Sequence, residues 1–386
     1  MRYMTLTNVR PVQPRVHEVD TIRGFALGGI LLANIGFFGD PRLLATIGMG
    51  ATGPVNFVVQ TLVLSKFYII FSFLFGYSFT LQMSSAEKAG AGIVARTLRR
   101  SLGLFVIGAL HGLLLWPGDI LTLYAVLGLV LLALRRIKPK TALITGIVLL
   151  TLVAAFYALI AWAITLSPTS VTLMTPLPPE EGARMLAAST AGPLDFLAVN
   201  VSNYLSTVPA IWFAQGPTAL AMFLFGFAAG RWGLFHRIDE WAHRMSAVQW
   251  VGFLIGLPGA VVYASMFNIN GPEMPAATAL HTLTAPLLSA AYVVTLIRLG
   301  RRFPAIPAVL DPAGRVAASN YLGQSVLACL VFTGYGLGLA GQVPPLGVMA
   351  IAVVIFAVLL ALSAWWLRGH RYGPVEYALR RFTNWR

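Results

Sequence analysis

Residues 142–166 read ALITGIVLLTLVAAFYALIAWAITL, a run with no charged side chain, entered from Lys138 and Lys140 and left through Pro168. A hydrocarbon core about 30 Å thick takes roughly 20 consecutive apolar residues to cross as a helix. Helices satisfy every backbone N–H and C=O from within one segment, so a run of this kind reads as a membrane span. Nine further runs, bounded by charge or by Pro and Gly clusters, lie at 22–38, 56–83, 101–116, 119–134, 208–230, 247–267, 279–299, 316–336 and 346–367. The pattern predicts an all-α, polytopic membrane protein of about ten transmembrane helices, folded as a single transmembrane domain over 1–386.

Composition agrees with that reading. Of 386 residues, 58% are hydrophobic and 10% charged, with a mean hydropathy of +0.78. A soluble domain carries about 25% charged residues, so this chain lacks the polar surface that water requires. The net charge of +14 would suggest nucleic acid if it formed one basic face. Its placement says otherwise. With the N-terminus inside and the runs alternating, 24 of the 27 Lys and Arg residues fall on one side. They cluster at Arg2–Arg23, Lys88–Arg100, Arg135–Lys140, Arg231–Arg244, Arg298–Arg315 and Arg368–Arg386. Arg42 and Arg184 fall outside, and Lys66 lies within the second run. This is the positive-inside distribution, and it puts both termini in the cytoplasm (N-in/C-in). The basic excess is topology, with the lipid bilayer as partner and no nucleic acid.

No cleavable signal is evident, since the first run lacks a small-residue cleavage site and continues into Asn34. The stretch 167–207 reads as an external loop carrying a short amphipathic helix near 180–190. In the cytoplasmic tail 368–386, Val375, Leu379 and Phe382 recur at helical spacing, which predicts an interfacial helix with Trp385 as anchor. Cys329, alone in the sequence, sits in an apolar run and reads as a packing residue. An echo, Phe73-Leu74-Phe75-Gly76 and Phe223-Leu224-Phe225-Gly226, carries little weight in so apolar a composition.

Ionisable groups in a membrane are costly and mark candidate sites. His111 lies in the third run, five residues before Trp116-Pro117-Gly118-Asp119, which is too short for anything but a tight hairpin. The third and fourth helices are then antiparallel neighbours, and Asp119 can face and orient the His111 imidazole as a general base. The plainer alternatives are a structural histidine and an Asp119 that only caps the fourth helix. Asp20 and Arg23 are spaced for an i, i+3 pair at the inner interface, and Asn34 projects from nearly the same face deeper in the span. The plain roles there are snorkelling for Arg23 and helix-to-helix hydrogen bonding for Asn34. Lys66 either meets an anionic ligand or stands in water where the long run 56–83 breaks. His281 and Glu273 read as residues near the outer surface, open to an external substrate or simply parts of a loop. The remaining histidines carry no metal-like spacing, and no P-loop, GxGxxG or HExxH pattern occurs.

Four stretches together resemble the YeiB-like bacterial membrane proteins. They are Arg15-Val16-His17-Glu18-Val19-Asp20-Thr21-Ile22-Arg23-Gly24 running on to Asn34; Lys66-Phe67-Tyr68 leading into Phe71-Ser72-Phe73-Leu74-Phe75-Gly76-Tyr77; Gly108-Ala109-Leu110-His111-Gly112 with Trp116-Pro117-Gly118-Asp119; and Gly373-Pro374-Val375-Glu376-Tyr377 with Arg380-Arg381. That family resembles the wider transmembrane acyltransferases, including heparan-α-glucosaminide N-acetyltransferase and the bacterial sugar O-acyltransferases. The resemblance implies transfer of an acyl group from cytoplasmic acyl-CoA, acetyl-CoA first of all, to an acceptor at the outer side of a bacterial inner membrane, with no metal. The sugar enzymes have a histidine where this chain has Asn34, and the heparan enzyme has one where this chain has Ala45. His111 would supply the base from another helix. In that scheme the catalytic set is His111, Asp119 and Asn34, the last donating to the oxyanion, while Arg23, Asp20 and Lys66 form the cofactor-binding set. The alternatives are a transporter or channel for a small polar or lipid-linked solute, and a non-catalytic binding or scaffold protein of the same fold. The outer faces of the last two spans offer a surface either for lipid or for a homodimer.

Overall fold

A computed structural model describes residues 16–46, 51–166, 177–269 and 271–384. Among them every regular element is a helix: α1 (His17–Gly39), α2 (Arg42–Ala45), α3 (Pro54–Leu62), α4 (Lys66–Lys88), α5 (Ile93–Leu114), α6 (Leu121–Ala133), α7 (Pro139–Thr165), α8 (Pro179–Ala191), α9 (Pro193–Arg231), α10 (Ala242–Met266), α11 (Glu273–Arg302), α12 (Ala305–Arg315), α13 (Ala317–Phe332), α14 (Pro345–Gly369) and α15 (Pro374–Thr383).

Each predicted run is occupied by helix. Among the described residues, seven apolar helical stretches are long enough to cross a membrane, and α6 and α13 are apolar but shorter. Helix α7 shows what surrounds the molecule. Only 17% of its most apolar window is buried, and Leu152, Leu159 and Trp162 on it stand mostly exposed. Val353, Val354 and Trp365 do the same on α14. A contiguous apolar exterior of this kind is solvated by lipid rather than water.

Several expectations change. The run 56–83 is two helices, because Ser65 takes a left-handed turn (φ 73°) between α3 and α4. Helix α5 starts at Ile93, well before 101, since Arg96, Arg99 and Arg100 end an apolar run without ending a helix. Of the stretch 167–207, residues 167–176 lie outside the described residues, and the rest is less of a loop than predicted: α8 is the amphipathic helix near 180–190, but α9 begins at Pro193 and continues through Pro209 and Pro217. The tail helix forms as α15, with Leu379 buried; Trp385 lies outside the described residues.

The echo has a structural meaning that composition hid. Helices α4 and α9 pack closely, with Phe75 stacked on Phe223 (centroids 4.7 Å) and Phe79 near Phe227 (6.4 Å). Residue numbers on the two helices advance together, so the pair is parallel. At the crossing a Cβ on Gly76 would stand 2.0 Å from the Phe223 carbonyl oxygen, and one on Gly226 would stand 1.9 Å from that of Phe73. Gly230, one turn further, makes room for the Thr80 side chain, whose Oγ1 a Cβ there would approach to 2.1 Å. This is the small-residue crossing that membranes favour, where backbone proximity replaces hydrophobic drive. Elsewhere α1 packs on α12 and α14, α5 on α6, α7 on α9 and α11, and α10 on α11.

Candidate functional site

The polar centre is built on the α5–α6 hairpin. His111 sits near the end of α5, and the chain reverses through Trp116-Pro117-Gly118 so that Asp119 returns to face it. The Asp119 Oδ1 lies 2.8 Å from His111 Nδ1. The other oxygen, Oδ2, accepts from the Thr122 backbone N–H (2.9 Å) and Thr122 Oγ1 (3.0 Å). Asp119 therefore caps the start of α6 and orients the imidazole at once. Gly108 makes room, since a Cβ there would lie 2.6 Å from Asp119 Oδ2.

The third member was not found from sequence. Ser325 on α13 places its Oγ 2.8 Å from His111 Nε2. A carboxylate only accepts hydrogen bonds, so Asp119 fixes the proton on Nδ1 and leaves the Nε2 lone pair to receive the Ser325 hydroxyl. All three side chains are buried: His111 is 2% exposed, Asp119 0% and Ser325 5%. Tyr321, one turn before Ser325, packs its ring on the imidazole (4.9 Å) and takes the Ile120 N–H at 3.4 Å.

Helix α13 is held from both sides. Glu376 on α15 accepts from the N–H groups of Ala318 (2.7 Å) and Ser319 (3.1 Å) and from Ser319 Oγ (2.6 Å). An anionic cap on orphan N–H groups at a helix start is strongly favourable, which explains why the Gly373-Pro374-Val375-Glu376 stretch is built as it is. Gln324 ties α13 to the Leu27 carbonyl of α1 at 2.9 Å. Cys329 packs as predicted, buried, with its thiol toward the Leu115 carbonyl.

A basic cluster forms at the other end of α5. Arg23 donates to Asp20 (2.9 Å), the i, i+3 pair read from sequence, and to Ser78 Oγ (2.5 Å). Arg100 lies within electrostatic reach of Arg23 and Arg380, with Glu376 as counter-charge. Arg100 and His111 share α5, eleven residues apart, about 16 Å along the axis. Thr21 and Gly24 serve packing: Thr21 Oγ1 donates to Asp311 at 2.5 Å, and a Cβ on Gly24 would strike the Leu310 carbonyl of α12.

The remaining candidates are not gathered here. Lys66 begins α4 and Ser78 lies twelve residues on, about 18 Å away, so Lys66 and Arg23 belong to different regions. Nor does Lys66 face water: it is 0% exposed, and its Nζ donates to the Gln60 carbonyl at 3.0 Å. His281 is buried rather than superficial, stacked on Tyr263 (4.2 Å), whereas Glu273 is exposed. Both ring nitrogens of His281 lack a partner among the described residues. Asn34 is half-buried on α1, and its amide has no hydrogen-bond partner among the described residues. Two cavities of about 450 and 510 Å³ open elsewhere. The first is apolar between α4, α10 and α11; the second is more polar, beside Asp40, Arg42 and Gln342.

Fold and site together define a polytopic α-helical membrane protein with an interlocked Asp–His–Ser centre buried among its helices. Residues 229–386 match a family profile described as "Protein of unknown function (DUF418)". Over 98% of its length the chain is 31% identical to the uncharacterized protein YxaH of Bacillus subtilis, covering 95% of that relative. It is 28% identical to an uncharacterized 39.9 kDa protein of Bacillus acidopullulyticus, over 96% of this chain and 94% of that one. It is 27% identical to the uncharacterized protein YeiB of Escherichia coli, over 95% of each. The chain belongs to the YeiB-like DUF418 family.

Proposed function

We propose that the protein is an acyltransferase of the bacterial inner membrane, moving an acyl group from cytoplasmic acyl-CoA to an acceptor on the outer side. The observation that carries this reading is His111, oriented by Asp119 and hydrogen-bonded through Nε2 to a hydroxyl. Three turns back along the same helix, Arg100 joins Arg23 and Arg380 in a basic cluster. A neutral imidazole with a fixed tautomer and a hydroxyl on its free nitrogen is the arrangement that deprotonates alcohols in acyl transfer. Arg23, Arg100 and Arg380 are suited to the phosphates of CoA, the guanidinium fork matching phosphate oxygens.

Ten spans with both termini cytoplasmic put the arginine cluster on the CoA side. Two observations support that count: the segregation of basic residues and the parallel run of α4 and α9, which the alternation requires of the second and sixth spans. Purified protein in nanodiscs, supplied with acetyl-CoA, is expected to release CoA thiol, and His111→Ala to abolish the release. Equal rates from the two proteins would end the proposal.

Lys66 and His281, ionisable groups buried between α4, α10 and α11, favour a second reading as a solute pathway. Flux through proteoliposomes that is indifferent to acetyl-CoA and lost in Lys66→Met would select it.

A further inference from the structure

Helical serines and threonines have a habitual use for their hydroxyl, and this molecule displays it repeatedly. Ser78, Ser189, Ser206, Ser265, Thr282 and Ser363 each donate to the carbonyl four residues earlier. That bond quenches the hydroxyl as a nucleophile by tying its proton to the backbone. Ser325 departs from the habit, as do Ser72, Ser289 and Ser319, which meet Tyr124, the Lys66 carbonyl and Glu376; of these four, Ser325 is the one that meets a histidine. Its hydroxyl is turned across the helix interface to His111 Nε2, an imidazole whose other nitrogen is held by a carboxylate that two Thr122 donors hold in turn. The order carboxylate, imidazole, hydroxyl, each link at 2.8 Å, is the arrangement by which unrelated folds activate serine.

We propose that Ser325 is the nucleophile of a two-step transfer and carries the acyl group as an ester between donor and acceptor. This rests on the acyl-transfer reading above. In the first step Ser325 Oγ attacks the thioester carbonyl carbon of acyl-CoA while His111 Nε2 takes the hydroxyl proton. The new C–O bond forms, the C–S bond breaks, and the leaving thiolate takes the proton from His111, giving O-acyl-Ser325 and CoA thiol. In the second step an acceptor hydroxyl or amine attacks the ester carbon as His111 takes its proton. The bond to Oγ breaks and that proton returns to Ser325, restoring the free serine. No oxidant, reductant or metal enters the balance.

The supporting shell suits a residue that must hold position through both steps. Tyr321 backs the imidazole, and Glu376 and Gln324 fix α13 at its start and middle. Asp119 remains an acceptor throughout and stabilises the imidazolium that forms twice per cycle. A covalent relay also answers a physical difficulty. A donor on one side and an acceptor on the other need not occupy a closed, buried centre together, because each meets the serine alone.

The test is the ester itself. Wild-type protein in nanodiscs is incubated with acetyl-CoA labelled with carbon-13 in the acetyl group, quenched in acid, and measured as intact protein and as peptides. Labelled acetyl on Ser325, absent in Ser325→Ala and in His111→Ala, is the expected result. It should be accompanied by a loss of about 10³-fold or more in CoA release for Ser325→Ala, with thermal unfolding unchanged. If Ser325→Ala releases CoA at the wild-type rate while His111→Ala is inactive, transfer is direct and this inference fails with the acyl-transfer reading intact. CoA release by wild type without any adduct on Ser325 also overturns it. If wild type releases no CoA, the acyl-transfer reading fails. A fluorophosphonate probe then decides the serine separately: His111-dependent labelling of Ser325 keeps it as an activated nucleophile, and no labelling removes it.

Discussion

The crossing of α4 and α9 yields a prediction whose size follows from geometry. A methyl group on Gly76 would lie 2.0 Å from the Phe223 oxygen and 2.7 Å from its carbonyl carbon; one on Gly226 would lie 1.9 Å from the Phe73 oxygen. Carbon-to-oxygen contacts settle at about 3.3–3.6 Å, so Gly76→Ala has to part the helices by more than 1 Å, roughly the difference between those values. A gap of that size forfeits a quarter to a half of each dispersion contact across the interface. It also loosens the Phe75–Phe223 stack, worth about 0.5–1.5 kcal/mol, on top of an overpacking cost of about 1–3 kcal/mol. Alanine returns about 1 kcal/mol of helix propensity over glycine. Separation wins, and each single variant should lose about 2–3 kcal/mol. Both methyls contest the same gap. Once the helices have parted, the second substitution costs little and still gains its propensity. The double variant should therefore be no less stable than the worse single one, a coupling of about 2 kcal/mol. Reversible unfolding in mixed detergent and SDS micelles measures all four corners of the cycle. Strict additivity, or a single variant within about 0.5 kcal/mol of wild type, would refute the close crossing.

Further outcomes follow from the site. Asp119→Asn leaves the shape but lets the amide donate to Nδ1, fixing the wrong tautomer; CoA release should fall about 10³-fold or more while the fold persists. Gly108→Ala pushes on Asp119 Oδ2 and should cost about 10²-fold in rate despite a better helix former on α5, read in the same assay. Glu376→Ala removes the α13 cap, and unfolding should show a loss of about 1–2 kcal/mol. Arg100→Gln should raise the acetyl-CoA KM by about tenfold or more with kcat nearly unchanged, as expected for lost charge-assisted binding.

How much of this was legible beforehand depends on the range of the interaction. Span positions were readable because hydrocarbon thickness sets a local requirement on run length. The early starts of α5 and α9 were not, since Arg96, Arg99 and Arg100 at one helix end and Pro193 at the other break hydropathy without breaking backbone hydrogen bonding; proline is at home in a first turn. The His111–Asp119 pair was readable because four hairpin residues force two helix ends together. Ser325 was not, because it meets His111 from 214 positions away and no spacing rule connects them. The burial of Lys66 was likewise hidden, since the Ser65 turn that starts α4 could as well have led into solvent. The repeated Phe-Leu-Phe-Gly tetrapeptide was visible, but in a phenylalanine-rich chain only the contact itself gave it meaning.

The Asp–His–Ser centre also bears on how this protein can be recombined. The matched profile, 229–386, contains the hydroxyl, whereas the imidazole and carboxylate are encoded earlier in the gene. A hybrid of two distant relatives spliced at that boundary draws its base from one parent and its serine from the other. Libraries of such hybrids, scored for growth or labelling, would sort by whether the two inherited halves meet at hydrogen-bond distance.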